Sequence, residues 1–266
     1  MRDFKSSLLA ISLLILPVSQ AGADTGECVI LLHGLARTEA SFAVMEQVLK
    51  ARDYKVIRPG YPSTDQPIPV LAEQTIPAAI ADCGDRRLNF VTHSMGGILL
   101  RYWLQDNRPT QLGNTVMLGP PNHGSEVVDK FGDWEVFGLI NGPAGMQLST
   151  GPESIPAQLP PVDFPVGVIA GNKSISPMFS KLIEGPDDGK VSVESTKVEG
   201  MSGHLVLPVT HTFMMNNPRV IAQTLHYIEF GRFNETMSWM DTVNGAIQEI
   251  CNGKFCGDSP DAEDTQ

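Results

Sequence analysis

No cluster of lysine or arginine occurs anywhere in the 266 residues. With 19 basic against 30 acidic side chains the formal net charge is −11, which argues against nucleic acid and against charge-driven binding to an anionic membrane. The sequence has no HExxH, and its four cysteines form no CxxC pair, so the common zinc signatures are missing and nothing calls for a metal or a cofactor. It has no heptad array and no internal repeat. The apolar run Leu8 to Leu16 is shorter than the ~20 residues a spanning helix needs. It follows Arg2 and Lys5 and precedes Pro17 and Ala21-Gly22-Ala23, the layout of a cleavable signal peptide over residues 1–23. No cysteine follows in lipid-anchor position. The expectation is an exported chain, periplasmic or secreted, with no stable membrane anchor and a small or apolar partner. About 240 residues then remain, enough for one domain with a substantial core.

What is present is an alternation of strand and helix signals. The continuous β-branched and leucine run CVILLH (28–33) reads as a strand buried on both faces. A helix follows over 39–53, with Phe42, Met45, Val48 and Leu49 on one face, then a strand over 54–59 stopped by Pro59. Residues 66–82 read as helix, 88–92 as strand, 95–106 as helix and 114–119 as strand. This order implies a parallel sheet with helices on both faces. Residues 119–165 differ: Pro and Gly surround only short helical pieces such as 125–131, as in an irregular covering segment. Strand character returns at 166–171 and around 191–199, and 217–230 is an amphipathic closing helix. A C-terminal extension covers 231–256, and the acidic, polar stretch 257–266 reads as disordered.

The joint in NFVTHSMGGILLRYW (89–103) places Ser94 between a strand and a helix, with Gly96 and Gly97 just behind it. A tight strand-to-helix turn makes a nucleophile stand clear of the backbone and requires small neighbours. Met95 there offers a backbone N–H at a helix N-terminus, where partial positive charge suits a developing oxyanion. The pattern is T-x-S-x-G, with Thr92 where G-x-S-x-G has glycine. Upstream, LLHGLA (31–36) follows a buried strand and offers the N–H of Leu35 as a second donor.

On LLHGLA, VTHSMGG, GPPNHGS and DGKV, over about residues 27–232, the chain resembles the α/β-hydrolase superfamily, specifically its secreted serine lipases and esterases. The resemblance implies an α/β-hydrolase fold: a doubly wound, mostly parallel sheet of about six strands with a short Pro/Gly-rich lid-like insertion, here 125–165, in a domain spanning 24–256. It implies the chain order nucleophile, acid, base. In similar lipases the acid is the Asp just before a Gly-x-Val or like turn, which favours Asp188 over Asp187. The usual spacing before the last helix favours His211, about nine residues before Val220, over His204. Ser94, Asp188 and His211 would be the catalytic residues, with Leu35 and Met95 forming the oxyanion hole.

The implied substrate is a small-molecule or lipid ester with an apolar acyl chain. Trp134 and Phe137 are candidates to line its pocket, alongside Phe131, Leu139 and Ile140, against a reading of this cluster as ordinary core. Acyl transfer or thioester hydrolysis would use the same three residues, and a catalytically silent binding protein would have lost one of them. His93 and His123 read as structural, and His226 falls within the closing helix. An oxidising compartment implies disulfides, and four cysteines permit three pairings or four free thiols. A hydrolase sheet sets the strand beginning near Cys28 beside the one beginning at Leu88, just after Cys83. The resemblance thus implies Cys28–Cys83 and, by remainder, Cys251–Cys256.

Overall fold

In the run ECVILL, residues 28, 30 and 32 face one way and residues 29 and 31 the other, and all five are fully buried. A strand of this kind requires apolar cover on both faces, and two separate cores supply it. Cys28, Ile30 and Leu32 belong to one core, and Val29 and Leu31 to the other. The computed structural model describes residues 26–131 and 135–238, by backbone alone over 135–140. The six strands are β1 (Glu27–Leu32), β2 (Lys55–Ile57), β3 (Arg87–His93), β4 (Leu112–Leu118), β5 (Val166–Gly171) and β6 (Gly203–Leu207). They form a single sheet in the order β2-β1-β3-β4-β5-β6, parallel throughout.

Helices α2 (Ile68–Cys83) and α3 (Met95–Leu104) cover one face; α1 (Ala43–Ala51) and the closing helix, Pro218–Phe230, cover the other. The result is the doubly wound α/β arrangement expected from the alternation of signals. The apolar spacing at 39–53 resolves into a 3₁₀ turn, Glu39–Phe42, leading into α1, and buries Phe42, Met45 and Leu49. Among the described residues no helix is long and apolar enough to cross a membrane. The signal-peptide segment, the acidic tail, Trp134 and the Cys251–Cys256 pairing lie outside the described residues, as does the side chain of Phe137.

Two expectations need correction. Residues 191–199 are not a strand, because their hydroxyl groups turn the backbone on itself. The Ser195 N–H donates to Ser192 Oγ at 3.0 Å and the Thr196 N–H to the Ser192 carbonyl at 3.2 Å. The place beside β5 goes to Gly203–Leu207, with Gly167 opposite Gly203 and Gly171 opposite Leu207.

The covering segment is also more helical than its Pro and Gly content implies, with α4 (Glu126–Phe131), α5 (Glu135–Met146) and α6 (Ile155–Gln158). Gly142 breaks α5 at φ 63°, and a Cβ there would fall 1.6 Å from the Thr64 carbonyl oxygen, so the kink and the glycine require each other. After β5 come α7 (Pro177–Ser180) and, past β6, a 3₁₀ turn, His211–Asn216, before the closing helix α8 (Pro218–Phe230).

The sheet's lower edge carries a polar tie and a covalent one. Asn89, fully buried where the β3–β4 register shifts, accepts from the Asn114 N–H at 2.8 Å and donates to Glu27 Oε2 at 2.6 Å, linking three strands. Cys28, opposite Leu88 in the ladder, is bonded to Cys83 at the end of α2, with their Cα atoms 5.7 Å apart. The bridge spans 55 residues, and closing a loop of that size stabilises by roughly 4 kcal/mol in the chain-entropy model. Changing both cysteines to Ala should lower the unfolding free energy by about that amount in denaturant titrations. Non-reducing peptide maps should show Cys28 joined to Cys83, and a link from either to Cys251 or Cys256 would contradict this architecture.

Candidate active site

Strand β3 ends at His93, and the next residue takes up φ 53°, ψ −125° before α3 begins. Ser94 is one of three non-glycine residues with positive φ among those described, a conformation costing on the order of 1–3 kcal/mol and held only when its surroundings dictate it. They do so here. The Ser94 N–H donates to the Leu118 carbonyl at the end of β4, at 2.9 Å, and the Ser94 carbonyl accepts from the Gly97 N–H at 3.0 Å.

The helix then passes so close to β1 that a Cβ on Gly96 would lie 2.4 Å from the Leu32 carbonyl oxygen. Thr92, which stands where the common motif has glycine, fits because the residue opposite is small: a Cβ on Gly97 would come within 3.2 Å of Thr92 Oγ1 and of Pro120 Cβ.

Beyond β5, the turn PDDGKV packs against the 3₁₀ turn that follows β6. Asp188 is 1% exposed, and such a carboxylate requires hydrogen-bond donors. Its Oδ1 accepts from the N–H groups of Lys190 (3.0 Å) and Val191 (2.9 Å), and its Oδ2 from His211 Nδ1–H at 2.7 Å. The backbones meet as well, the His211 N–H donating to the Asp188 carbonyl at 3.0 Å. This arrangement makes Nδ1 the protonated nitrogen of His211 and leaves Nε2 with a free lone pair.

Asp187 faces elsewhere, accepting from Ser180 Oγ at 2.8 Å and the Gly189 N–H at 2.7 Å. His204 lies within β6, its Nε2 2.9 Å from Thr196 Oγ1. Gly119 supplies the clearance beside the pair, since a Cβ there would lie 3.0 Å from Asp188 Oδ2 and 3.2 Å from His211 Nδ1.

The turn after β1 brings Leu35 to the same edge. It is braced by His33, whose ring stacks on Tyr61 at 3.8 Å while the Tyr61 hydroxyl donates to the His33 carbonyl. Burial pushes the Tyr61 phenol up and the His33 imidazole down, so both stay neutral. Met95, as the first residue of α3, has a backbone N–H with no carbonyl one turn earlier in the helix to receive it. Ser94, His211 and Leu35 line one cavity of about 440 Å³, with Val127, Val128 and Leu148 of the covering segment in its wall.

Ser94, Asp188, His211, Leu35 and Met95 therefore meet at the C-terminal edge of the sheet, while His204 and Asp187 stand apart. Four other residues of this edge are not among the site residues read from the sequence. Tyr61 gives no local signal. Arg101, one and a half turns into α3, donates to Asn122 at one end of the covering segment and to the Leu159 and Pro160 carbonyls at the other. Arg37 and Lys190 line the cavity, and only the second falls in a quoted motif, DGKV. Among the described residues no group of three or more His, Cys, Asp or Glu is placed to hold a metal.

No protein-family model and no curated protein sequence matches this chain. Solved structures do. The mature form of lipase BlEst2 from Bacillus licheniformis is 18% identical, with 81% of this chain and 95% of that one covered and a TM-score of 0.59. Phospholipase PlaB from Legionella pneumophila is 19% identical, with 85% of this chain but 63% of that one covered and a TM-score of 0.60. Esterase RhEst1 from a Rhodococcus species is 18% identical, with 79% and 92% covered and a TM-score of 0.51. At such identities the likeness is one of architecture, and it agrees with the six-stranded parallel sheet and its flanking helices: the chain has the α/β-hydrolase fold.

Proposed function

We propose that this chain is a serine hydrolase of carboxylic esters that works through an acyl-enzyme on Ser94. The observation that carries the reading is the projecting Ser94 turn in one cavity with a histidine whose Nδ1 is held 2.7 Å from a buried carboxylate. His211 Nε2 takes the Ser94 proton as Oγ attacks the ester carbonyl. The Leu35 and Met95 N–H groups stabilise the oxyanion, and collapse expels the alcohol, which takes the proton back from His211. Water, activated by the same histidine, then releases the acid. Asp188 keeps the imidazole in the required tautomer and stabilises its cation.

The cavity wall of Val127, Val128, Leu148, Phe179 and Val191 favours an apolar acyl chain. The Cys28–Cys83 bond fits a chain that folds in an oxidising compartment, in keeping with export.

His93 serves this machinery from behind. Its Nε2–H donates to the His211 carbonyl at 3.0 Å and the two rings lie 4.7 Å apart. Burial, and then repulsion from His211, holds its pKa well below the usual imidazole value, so it acts as a neutral donor. In the unfolded chain the same group binds a proton near the ordinary value of about 6.5. The unfolded state therefore holds more protons below that pH, and stability present above it is lost as pH falls, by up to about 1.4 kcal/mol per unit for one group.

With a p-nitrophenyl ester series, Ser94→Ala, His211→Ala and Asp188→Asn should each lower kcat by at least about a thousandfold with an unchanged circular-dichroism spectrum, whereas His204→Ala stays within a few-fold of wild type. A fluorophosphonate should label Ser94; labelling at another residue would refute the assignment. In urea titrations between pH 7.5 and 5, His93→Gln, whose amide donates without titrating, should lose less stability on acidification than wild type. Equal slopes would show that His93 is not held neutral.

A further inference from the structure

The chain is strongly acidic, yet the cavity that holds Ser94 is lined by two cations and, among the described residues, by no carboxylate. A second cavity of about 590 Å³ has the opposite character, with Glu126, Glu184 and Glu194 in its wall. The positive lining is thus a local property.

Lys190 is exposed and Arg37 part-buried, and each is tied to the site by hydrogen bonds. The main chain of Lys190 is fastened on both sides: its N–H donates to Asp188 Oδ1 at 3.0 Å and its carbonyl accepts from Ser125 Oγ at 2.8 Å. Arg37, two residues past Leu35, reaches the carbonyl of Thr212, next to His211, at 3.5 Å. Among the described residues, no carboxylate lies within ion-pair distance of either side chain. Asp188 is near enough to attract Lys190, but its oxygens are occupied by His211 and two backbone N–H groups. Crowding by surrounding protein, and then Arg37, lowers the Lys190 pKa, which places the two cations within each other's field. Two like charges that share a cavity repel each other, with only partial relief from Asp188, and an anion placed between them is attracted by both.

We propose that Arg37 and Lys190 form an anion-recognition site in the Ser94 cavity, and that the preferred substrate is an ester carrying a phosphate or carboxylate group near the scissile bond. The proposal rests on the reading of Ser94 as nucleophile and adds the substrate's charge to it. Arg37 supplies a planar fork suited to two oxygens and Lys190 a compact point charge. The apolar wall receives the hydrocarbon part of the same molecule.

Two matched pairs of esters test the charge and tell its sources apart. One is p-nitrophenyl butyrate against the p-nitrophenyl monoester of glutaric acid; the other is glycerol monobutyrate against its phosphate monoester. At low ionic strength the anionic member of at least one pair should be favoured by about tenfold in kcat/KM. That ratio should fall towards one in the Arg37→Ala, Lys190→Ala double variant and shrink in 0.5 M salt, while Lys190→Arg keeps most of it. A ratio within one pair is unmoved by a general loss of activity, so a structural role for the cations would not mimic the result.

Inorganic phosphate titrated calorimetrically into Ser94→Ala protein, with and without the double substitution, reads the site without chemistry. If no ester is cleaved but phosphate binds only when both cations are present, the anion site stands and the hydrolase reading fails. If esters are cleaved with equal preference for neutral and anionic members and phosphate binding ignores the cations, the proposal is overturned and the hydrolase reading stands.

Discussion

Everything at the C-terminal edge of the sheet depends on how closely α3 approaches the end of β1. The helix starts directly above the Leu32 and His33 carbonyls, where a Cβ on Gly96 would sit 2.4 Å and 2.8 Å from their oxygens. Only that approach lets β3 turn into α3 within one residue, and only that abruptness forces Ser94 to φ 53°. The strain is held in place by the sheet on one side, through the Leu118 carbonyl, and by the first turn of the helix on the other. The same abruptness leaves the Met95 N–H at a helix start without a partner in its own helix. Nucleophile geometry and oxyanion donor, as proposed for this chain, are thus two consequences of a single steric fact.

Around that corner the polar groups form a chain in which each holds the next. His93 holds the His211 carbonyl, Asp188 holds the His211 ring and N–H, and two backbone N–H groups hold Asp188. A buried carboxylate with several charge-assisted hydrogen bonds is costly to disturb, because a lost donor leaves a charge without water to replace it. The order of strands makes the chain possible: β3, β4, β5 and β6 lie side by side and all end at one edge, so loops far apart in sequence arrive together. The proposed anion site uses the same anchors, since the turn that aligns Asp188 also fixes the main chain of Lys190.

Much of this was legible because it is local. The runs CVILLH and LNFVT declare buried strands through unbroken apolar character, and two glycines behind a serine declare a tight turn. The resemblance narrowed the acid and the base to Asp188 and His211 over adjacent or nearby rivals. The stretch VSVESTKVEG (191–200) misled, since its alternation has the period of a strand while the hydroxyls of Ser192 and Thr196 bond to its own backbone. GLINGPAGM (138–146) misled in the other direction, its Gly and Pro marking a kink inside a helix instead of the lack of one.

By itself, then, the sequence determined the alternation of strands and helices, the sharp turn at Ser94 and the small residues that permit it, because each follows from the volume and backbone freedom of residues a few positions apart. The tertiary structure decided which carboxylate meets which imidazole. Asp187 and Asp188 are chemically alike neighbours, and only the direction of the turn sends one to Ser180 and the other to His211. It likewise decided that Arg37 and Lys190, 153 positions apart, share a cavity with no carboxylate in its described lining. Charge is written in the sequence residue by residue, but its partners are chosen by packing, and packing between distant loops is a property of the sheet's order.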